Sequence, residues 1–153
     1  IDTTGLDLSP FTNSNANSYQ GGVVGVLGTI AGNQTITANA YSNLGGNTSS
    51  QKYRAVSITI TKVGGTIAVG DTFDVANIAT EAIVSYSEFD YTVTPAQVNK
   101  SYLGNSGIVT VVSRTGSNVT LRANNVRVAG VSAFNTTGSL TINGEITTAL
   151  SGN

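Results

Sequence analysis

Four acidic side chains are the residues of this sequence whose types and spacing are best suited to chemistry. Asp71, Asp74, Glu88 and Asp90 make up half of the eight acidic residues of the chain and lie within 20 positions. Such a group could hold a hard cation such as Ca²⁺, or act as a glycosidase pair if two carboxyls stood about 5–10 Å apart. The segment lacks the D-x-D-x-D-G spacing of a calcium loop, and acids on exposed strand positions commonly protect a sheet edge. We therefore predict neither a metal site nor a catalytic pair.

Three aromatic side chains, Tyr86, Phe89 and Tyr91, interleave with the last two of these acids. Aromatic rings offer a stacking surface, and a cluster of this kind would suit a carbohydrate-binding face. The chain has only six Tyr, four Phe and no Trp, so these rings are also needed to fill the core and the sheet edges. A monomeric cell-surface adhesin or carbohydrate-binding β-sandwich module is therefore the alternative function.

Several residue types that carry catalysis are missing from the chain. It has no Cys, His, Met or Trp, which excludes thiol nucleophiles, Ser-His catalysis and the usual ligands of zinc and haem. Seven basic and eight acidic residues give a net charge of −1, without the basic stripe that phosphate binding requires. No apolar run approaches the roughly 18–20 residues that span a bilayer. We predict no enzymatic activity, no cofactor, no nucleic-acid partner and no membrane span.

The absence of Met also bears on the compartment in which the protein works. Ile1 is not a translation start, and the simplest interpretation is a secreted protein after removal of its signal peptide. We therefore expect an extracellular or cell-surface location. Thr, Gly, Ser and Asn supply 72 of the 153 residues, so solubility depends on neutral hydroxyl and amide groups rather than on ions.

Five Asn-x-Ser/Thr sequons are present, at Asn33, Asn47, Asn99, Asn118 and Asn135. With this much Asn, Ser and Thr, chance alone predicts roughly four, so the number carries no information. Four of the five fall in predicted turns or loops, where a glycan can be accommodated. In a host that glycosylates secreted proteins, we expect some of them to carry N-glycans.

Apolar and polar residues alternate in short blocks along the chain, which is the pattern of half-buried β-strands. In the clearest block Val56, Ile58 and Ile60 face one way, and the intervening Ser and Thr residues face the other. Turn residues such as Gly32-Asn33 separate the blocks. The sequence predicts an all-β domain, a β-sandwich or jelly roll of about nine or ten strands, with a barrel as the alternative.

One short segment carries the signals of a helix start. Thr94 is a good N-cap, Pro95 suits the first helical position and Gln97 the third, so we predict a short helix over residues 95–103. Within residues 83–93 the apolar residues shift from even-numbered to odd-numbered positions, which predicts a bulge near Ser87-Glu88. The tail is either a hairpin about Asn143-Gly144 or one longer strand.

The N-terminal segment carries the functional hypothesis. Residues 1–12 form an arm in which Ile1, Leu6, Leu8 and Phe11 stand among polar neighbours, residues 13–20 form a polar connector, and residues 21–153 form the single domain. An apolar-alternating arm on a soft connector suits a strand that completes a neighbour's sheet, with these four residues as anchors. The other interpretation is that the arm is the domain's own first strand.

The arm Ile1 to Phe11, together with the Thr-, Gly- and Asn-rich sandwich, resembles subunits of archaeal threads, bundling pili and bacterial biofilm-matrix fibres. The resemblance implies assembly by insertion of an N-terminal strand into the next subunit, and N-glycosylation. It leads us to expect a structural subunit that forms a head-to-tail homopolymer.

Overall fold

The computed structural model describes residues 2–7, 22–30, 32–43, 52–90 and 97–152 of the chain. These residues form nine β-strands and one 3-10 helix, Ser132–Phe134. The strands are β1 (Asp2–Asp7), β2 (Gly22–Ile30), β3 (Asn33–Asn43), β4 (Lys52–Lys62), β5 (Thr72–Asp74), β6 (Ala82–Asp90), β7 (Gln97–Thr115), β8 (Asn118–Gly130) and β9 (Ser139–Gly152). The prediction of an all-β fold is confirmed.

Seven of these nine strands form a closed path of backbone pairing. The order is β2-β3-β4-β6-β7-β8-β9, and β9 returns to β2 through a short parallel pairing of residues 150–152 with residues 25–27. The other neighbours in the path are antiparallel. Two strands are added outside the path, β1 on β9 and β5 on β7. The described residues therefore form one curled sheet.

Curling gives the sheet an interior lined by aliphatic side chains. Alternate residues face inward, so that β3 contributes Ile36, β4 contributes Ile58 and Ile60, and β9 contributes Ile142 and Ile146, all fully buried. Burial of each such side chain stabilises the fold by about 1.5–3 kcal/mol. Residues from both sides of the closed path belong to the same cluster, so the domain has a single core.

The loop between β4 and β5 closes one end of this interior. Its Ile67 is 1% exposed and packs in the core. Gln34 Oε1 accepts hydrogen bonds from the Ile67 amide at 2.8 Å and from Arg114 Nη1 at 2.7 Å. The same Arg114 nitrogen donates to the Ile67 carbonyl oxygen at 2.6 Å. These bonds connect the loop to β3 and β7 and fix it over the end of the sheet.

The predicted helix over residues 95–103 is wrong for residues 97–103, which belong to β7. From Gln97 to Leu103 this segment pairs with β6. Burial alternates at its end, since Tyr102 and Gly104 are buried whereas Leu103 between them is exposed. A helix N-cap contributes about 0.5–2 kcal/mol, which is less than the burial of Tyr102 together with the strand pairing of the segment.

The predicted turn and one of the two possibilities for the tail agree with the structure, whereas the predicted bulge lies on another strand. β2 and β3 form an antiparallel hairpin at the turn predicted around Gly32-Asn33, and Gly32 has a φ of +82°. The bulge predicted near Ser87-Glu88 is wrong for β6, which pairs with β4 without a shift; the register between β6 and β7 shifts between Glu88 and Phe89 because β7 contains the extra residue Asn99. The tail is one long strand, β9, in which Gly144 has a φ of +125°. The longer strand was one of the two possibilities that the sequence left open.

Candidate functional site

The N-terminal strand lies on β9 of its own chain. β1 runs parallel to β9, with Gly5 opposite Thr141 and Leu6 opposite Ile142. This is the second interpretation of the arm, in which the segment is the domain's own first strand. Because the Ile142 side chain is fully buried, β1 is paired with a strand that belongs to the core.

The edge of β9 that holds β1 is shared with β2. β1 pairs with residues 139–143 of β9, and β2 pairs with residues 150–152 of β9. β8 pairs with the opposite edge of β9. Among the described strands, neither β1 nor β2 pairs with residues 144–149. The edge that receives β1 therefore continues for a further stretch of backbone before β2 takes it over.

Leu6 is the one predicted anchor that falls within the described residues, and its backbone lies in β1. The anchors Ile1, Leu8 and Phe11 lie outside them, as does the predicted connector at residues 13–20. The sequence did not identify β9 as the partner of the arm. A parallel pairing between the two ends of a chain leaves no local pattern in either segment.

Two carboxylates, one just before β5 and one just before β6, are fixed by neighbouring groups. Asp71 Oδ2 accepts hydrogen bonds from Lys62 Nζ and from the Ala68 amide, both at 2.8 Å, and these bonds lower the pKa of Asp71 from its ordinary 3.8. Glu81 accepts from the Asn77 side-chain amide at 2.6 Å and from a β5 backbone amide at 3.1 Å, which lowers its pKa from 4.5. Both groups are therefore ionised at neutral pH and hold the loops around them.

The remaining predicted acids are not brought together. Asp74 lies opposite Ile108 on β7 whereas Glu88 lies opposite Lys100, which places them eight positions, or about 26 Å, apart along that strand. A glycosidase pair requires about 5–10 Å between carboxyls. The Asp90 side chain lies outside the described residues. In the part of the chain that the structure describes, no three His, Cys, Asp or Glu side chains are grouped so as to hold a metal ion.

Tyr86 is a core residue and cannot contribute to a sugar-stacking surface. It is 3% exposed, its ring centroid is 5.8 Å from that of Tyr102, and its hydroxyl donates to Glu88 at 2.7 Å. Burial and then this hydrogen bond raise the pKa of Tyr86. Phe89, three positions along β6, is half-buried, and Tyr91 lies outside the described residues. The alternative function therefore loses one of its three aromatic residues.

The sequons differ in accessibility. Asn118 and Asn135 are exposed. Asn33 is half-buried, and its Oδ1 accepts a hydrogen bond at 3.0 Å from a backbone amide of the β4–β5 loop. Asn99 lies in β7, but its side chain is not among those that the structure describes. Asn47 falls outside the described residues. Asn118 and Asn135 are the described sequons that are best placed to carry a glycan.

Two pairs of threonines mark the outward face of β3 and β4. The hydroxyl oxygens of Thr35 and Thr61 lie 3.3 Å apart and those of Thr37 and Thr59 lie 3.1 Å apart. Each pair is directly opposite in the antiparallel register. These contacts fix the pairing of β3 with β4, and they provide a well-defined internal reference for cross-linking.

No family model matches the chain, and no curated protein or solved structure is significantly similar to it. Within the described ranges, no helix has both the length and the apolar character needed to cross a membrane. The function is therefore inferred from the sequence and from the geometry of β1 and β9.

Proposed function

We propose that this protein is a secreted structural subunit that polymerises into an extracellular filament by passing its N-terminal strand to the next copy. In the filament, β1 of one subunit lies on β9 of its neighbour, in the register that it has within one chain. The observation that carries this proposal is the position of β1 at the end of the pairing order, outside the closed path of seven strands. A subunit can release β1 without breaking any strand pair of that path.

Exchange of β1 replaces each backbone hydrogen bond by the same bond to another copy. Exchange of an identical element is therefore a low-cost way to join identical chains. Residues 8–21 connect β1 to β2 and span at most about 46–50 Å when extended, which is enough to reach a neighbouring subunit. Each subunit gives a strand to one neighbour and receives a strand from another, so the contact is head-to-tail and propagates into a fibre.

The continuing edge of β9 offers the exchanged strand additional contacts. If the register of Leu6 with Ile142 continued, Leu8 would come opposite Gly144 and Phe11 opposite Thr147. Ile1, Leu6, Leu8 and Phe11 are the anchors of the proposed interface. Main-chain hydrogen bonds would then supply affinity, and the alternating side chains specificity.

Concentration decides between the self-paired chain and the filament. A strand that is tethered to its own domain by a short linker meets its acceptor at an effective concentration of about a millimolar. Exchange between copies therefore requires dense packing of subunits, or contacts that the self-paired chain does not make. Crowding of newly secreted chains at a cell surface would meet the first condition, and the additional edge of β9 would meet the second.

In this proposal the curled sheet works as a β-sandwich. β3 contacts β9 across β2, and β6 contacts β8 across β7, so the sheet bends at β2 and at β7. The exposed Asn118 and Asn135 would carry N-glycans on the outside of the fibre. The resemblance to thread, pilus and matrix-fibre subunits supports the same assignment.

Negative-stain microscopy of concentrated protein tests this function. We expect fibres from the full chain and monomers from a chain that lacks residues 1–12, because the closed path of seven strands does not include the arm. Far-UV circular dichroism checks that the shortened chain is still folded. Fibres of undiminished length from a folded, shortened chain would overturn the proposal.

A further inference from the structure

A cavity of about 300 Å³ opens between the end of β4, the start of β5 and the segment that leads into β6. Its lining consists of Thr61, Lys62, Val63, Asp71, Thr72, Phe73, Thr80 and Glu81. The volume is at the lower limit of small-molecule sites, which is the size range of a single sugar ring rather than of a nucleotide. The proposed filament contact does not use this region.

The two charged walls of the cavity are held in place before any ligand arrives. Lys62 Nζ lies 2.8 Å from Asp71 Oδ2 on one wall. On the other wall, Glu81 is fixed by Asn77 and by a β5 amide, and its carbonyl oxygen accepts a hydrogen bond from the Thr61 amide at 2.8 Å. Binding groups that are already oriented lose little entropy when a ligand binds.

Several polar atoms of the lining retain hydrogen-bonding capacity. Within the described residues, the bonds to Asp71 end on Oδ2, and Oδ1 receives none. Thr72 and Thr80 are exposed, and their hydroxyls make no hydrogen bond to another described residue. The Lys62 ammonium has three N–H groups and donates one of them to Asp71. The cavity therefore presents donors and acceptors side by side.

The charges select the class of ligand. One ammonium and two carboxylates give the lining a net charge of −1, which disfavours phosphate, sulfate and acidic sugars. Each hydroxyl of a neutral sugar both donates and accepts, so adjacent hydroxyls can donate to Asp71 Oδ1 and accept from Lys62 at once. Phe73 lines the cavity from the core side, but only 4% of it is exposed, so the polar groups of the lining carry the recognition. We propose that this cavity binds one neutral sugar ring through Lys62, Asp71, Thr72 and Thr80.

Titration of the ¹⁵N-labelled, monomeric full chain with methyl glycosides of glucose, galactose, mannose and N-acetylglucosamine tests this site. With at least one of them we expect saturable shifts of the Lys62, Thr72 and Glu81 amides, at a Kd of about a millimolar. Inorganic phosphate should produce none. If no glycoside produces saturable shifts at these amides, or if phosphate binds there as well as the sugars do, the proposal is wrong.

Variants separate binding in the cavity from binding elsewhere. The double substitution Thr72→Val and Thr80→Val keeps the side-chain shape and removes two hydroxyls, and should weaken binding about tenfold. Thr115→Val, an exposed position outside the lining, is the matched control and should leave the Kd unchanged. Equal affinities of the two variants would overturn the assignment. Because the filament contact lies on β1 and β9, fibre formation should be the same in both variants.

Discussion

Leu6 lies opposite Ile142 in a parallel strand pair that joins the two ends of the chain. The same pair can form within one molecule or between two, because β1 lies outside the closed path and is connected to β2 through residues 8–21. The structure thus shows which strand of its own chain β1 pairs with. The proposal of a filament concerns which copy supplies the arm.

Shortening a buried side chain of β9 should destabilise the fold. Ile142→Ala removes a fully buried side chain and is expected to lower the free energy of unfolding by about 2–5 kcal/mol. Ile83→Ala is the matched control, since Ile83 is 40% exposed and should lose less than about 1 kcal/mol. Urea denaturation of the unassembled chain measures both losses. Equal losses would contradict the inward orientation of Ile142.

Tyr86 should make the fold sensitive to alkaline pH. Its folded pKa is raised above that of the unfolded chain, so its contribution to stability is complete below about pH 10 and is lost as the pH rises beyond it. In Tyr86→Phe, the free energy of unfolding should fall less steeply above about pH 10 than in the unsubstituted chain. Urea midpoints between about pH 9 and 12 measure the slopes, and identical slopes would contradict this role.

Asp71 and Glu81 should give a small acid dependence of the opposite sign. Their folded pKa values are lowered, so their contributions are present above about pH 4–5 and are lost as the pH falls through the folded values. Both carboxylates are near the surface, and we expect less than about 1 kcal/mol from each. The double substitution Asp71→Asn and Glu81→Gln should flatten the dependence of the urea midpoint below pH 5. A double variant that keeps the full acid dependence would assign that dependence to other groups.

The sequence predicted the strands because their signal is local. Val56, Ile58 and Ile60 alternate with polar residues, and all three are buried in β4. The Pro95 signal was also local, but it was outweighed by pairing and burial that only the folded sheet supplies, as at Tyr102.

The features on which the two proposals rest depend on distant parts of the chain. The arm was recognised from its own composition, whereas its pairing with Ile142 depends on the register of two strands at opposite ends of the sequence. The cavity similarly combines Lys62, Asp71 and Thr80 from three segments. Tyr86 was placed in a sugar-binding cluster because aromatic spacing does not reveal which rings the core requires.

Cysteine cross-linking tests the exchange of β1 most directly, because the chain has no cysteine of its own. Gly5 and Thr141 are direct partners, and neighbouring strands lie about 4.8 Å apart, a separation that a disulfide can bridge. Thr37→Cys with Thr59→Cys is the control pair within the closed path, and it should form only intramolecular disulfides.

The decisive measurement is non-reducing electrophoresis of oxidised fibres assembled from an equal mixture of the Gly5→Cys and Thr141→Cys chains, with mass spectrometry of the linked peptides. The account predicts a disulfide between residues 5 and 141 of different chains, and a ladder of covalent multimers when both substitutions are in one chain. The account is contradicted if fibres of the double variant contain only internally linked monomers and fibres of the mixture contain no disulfide between residues 5 and 141.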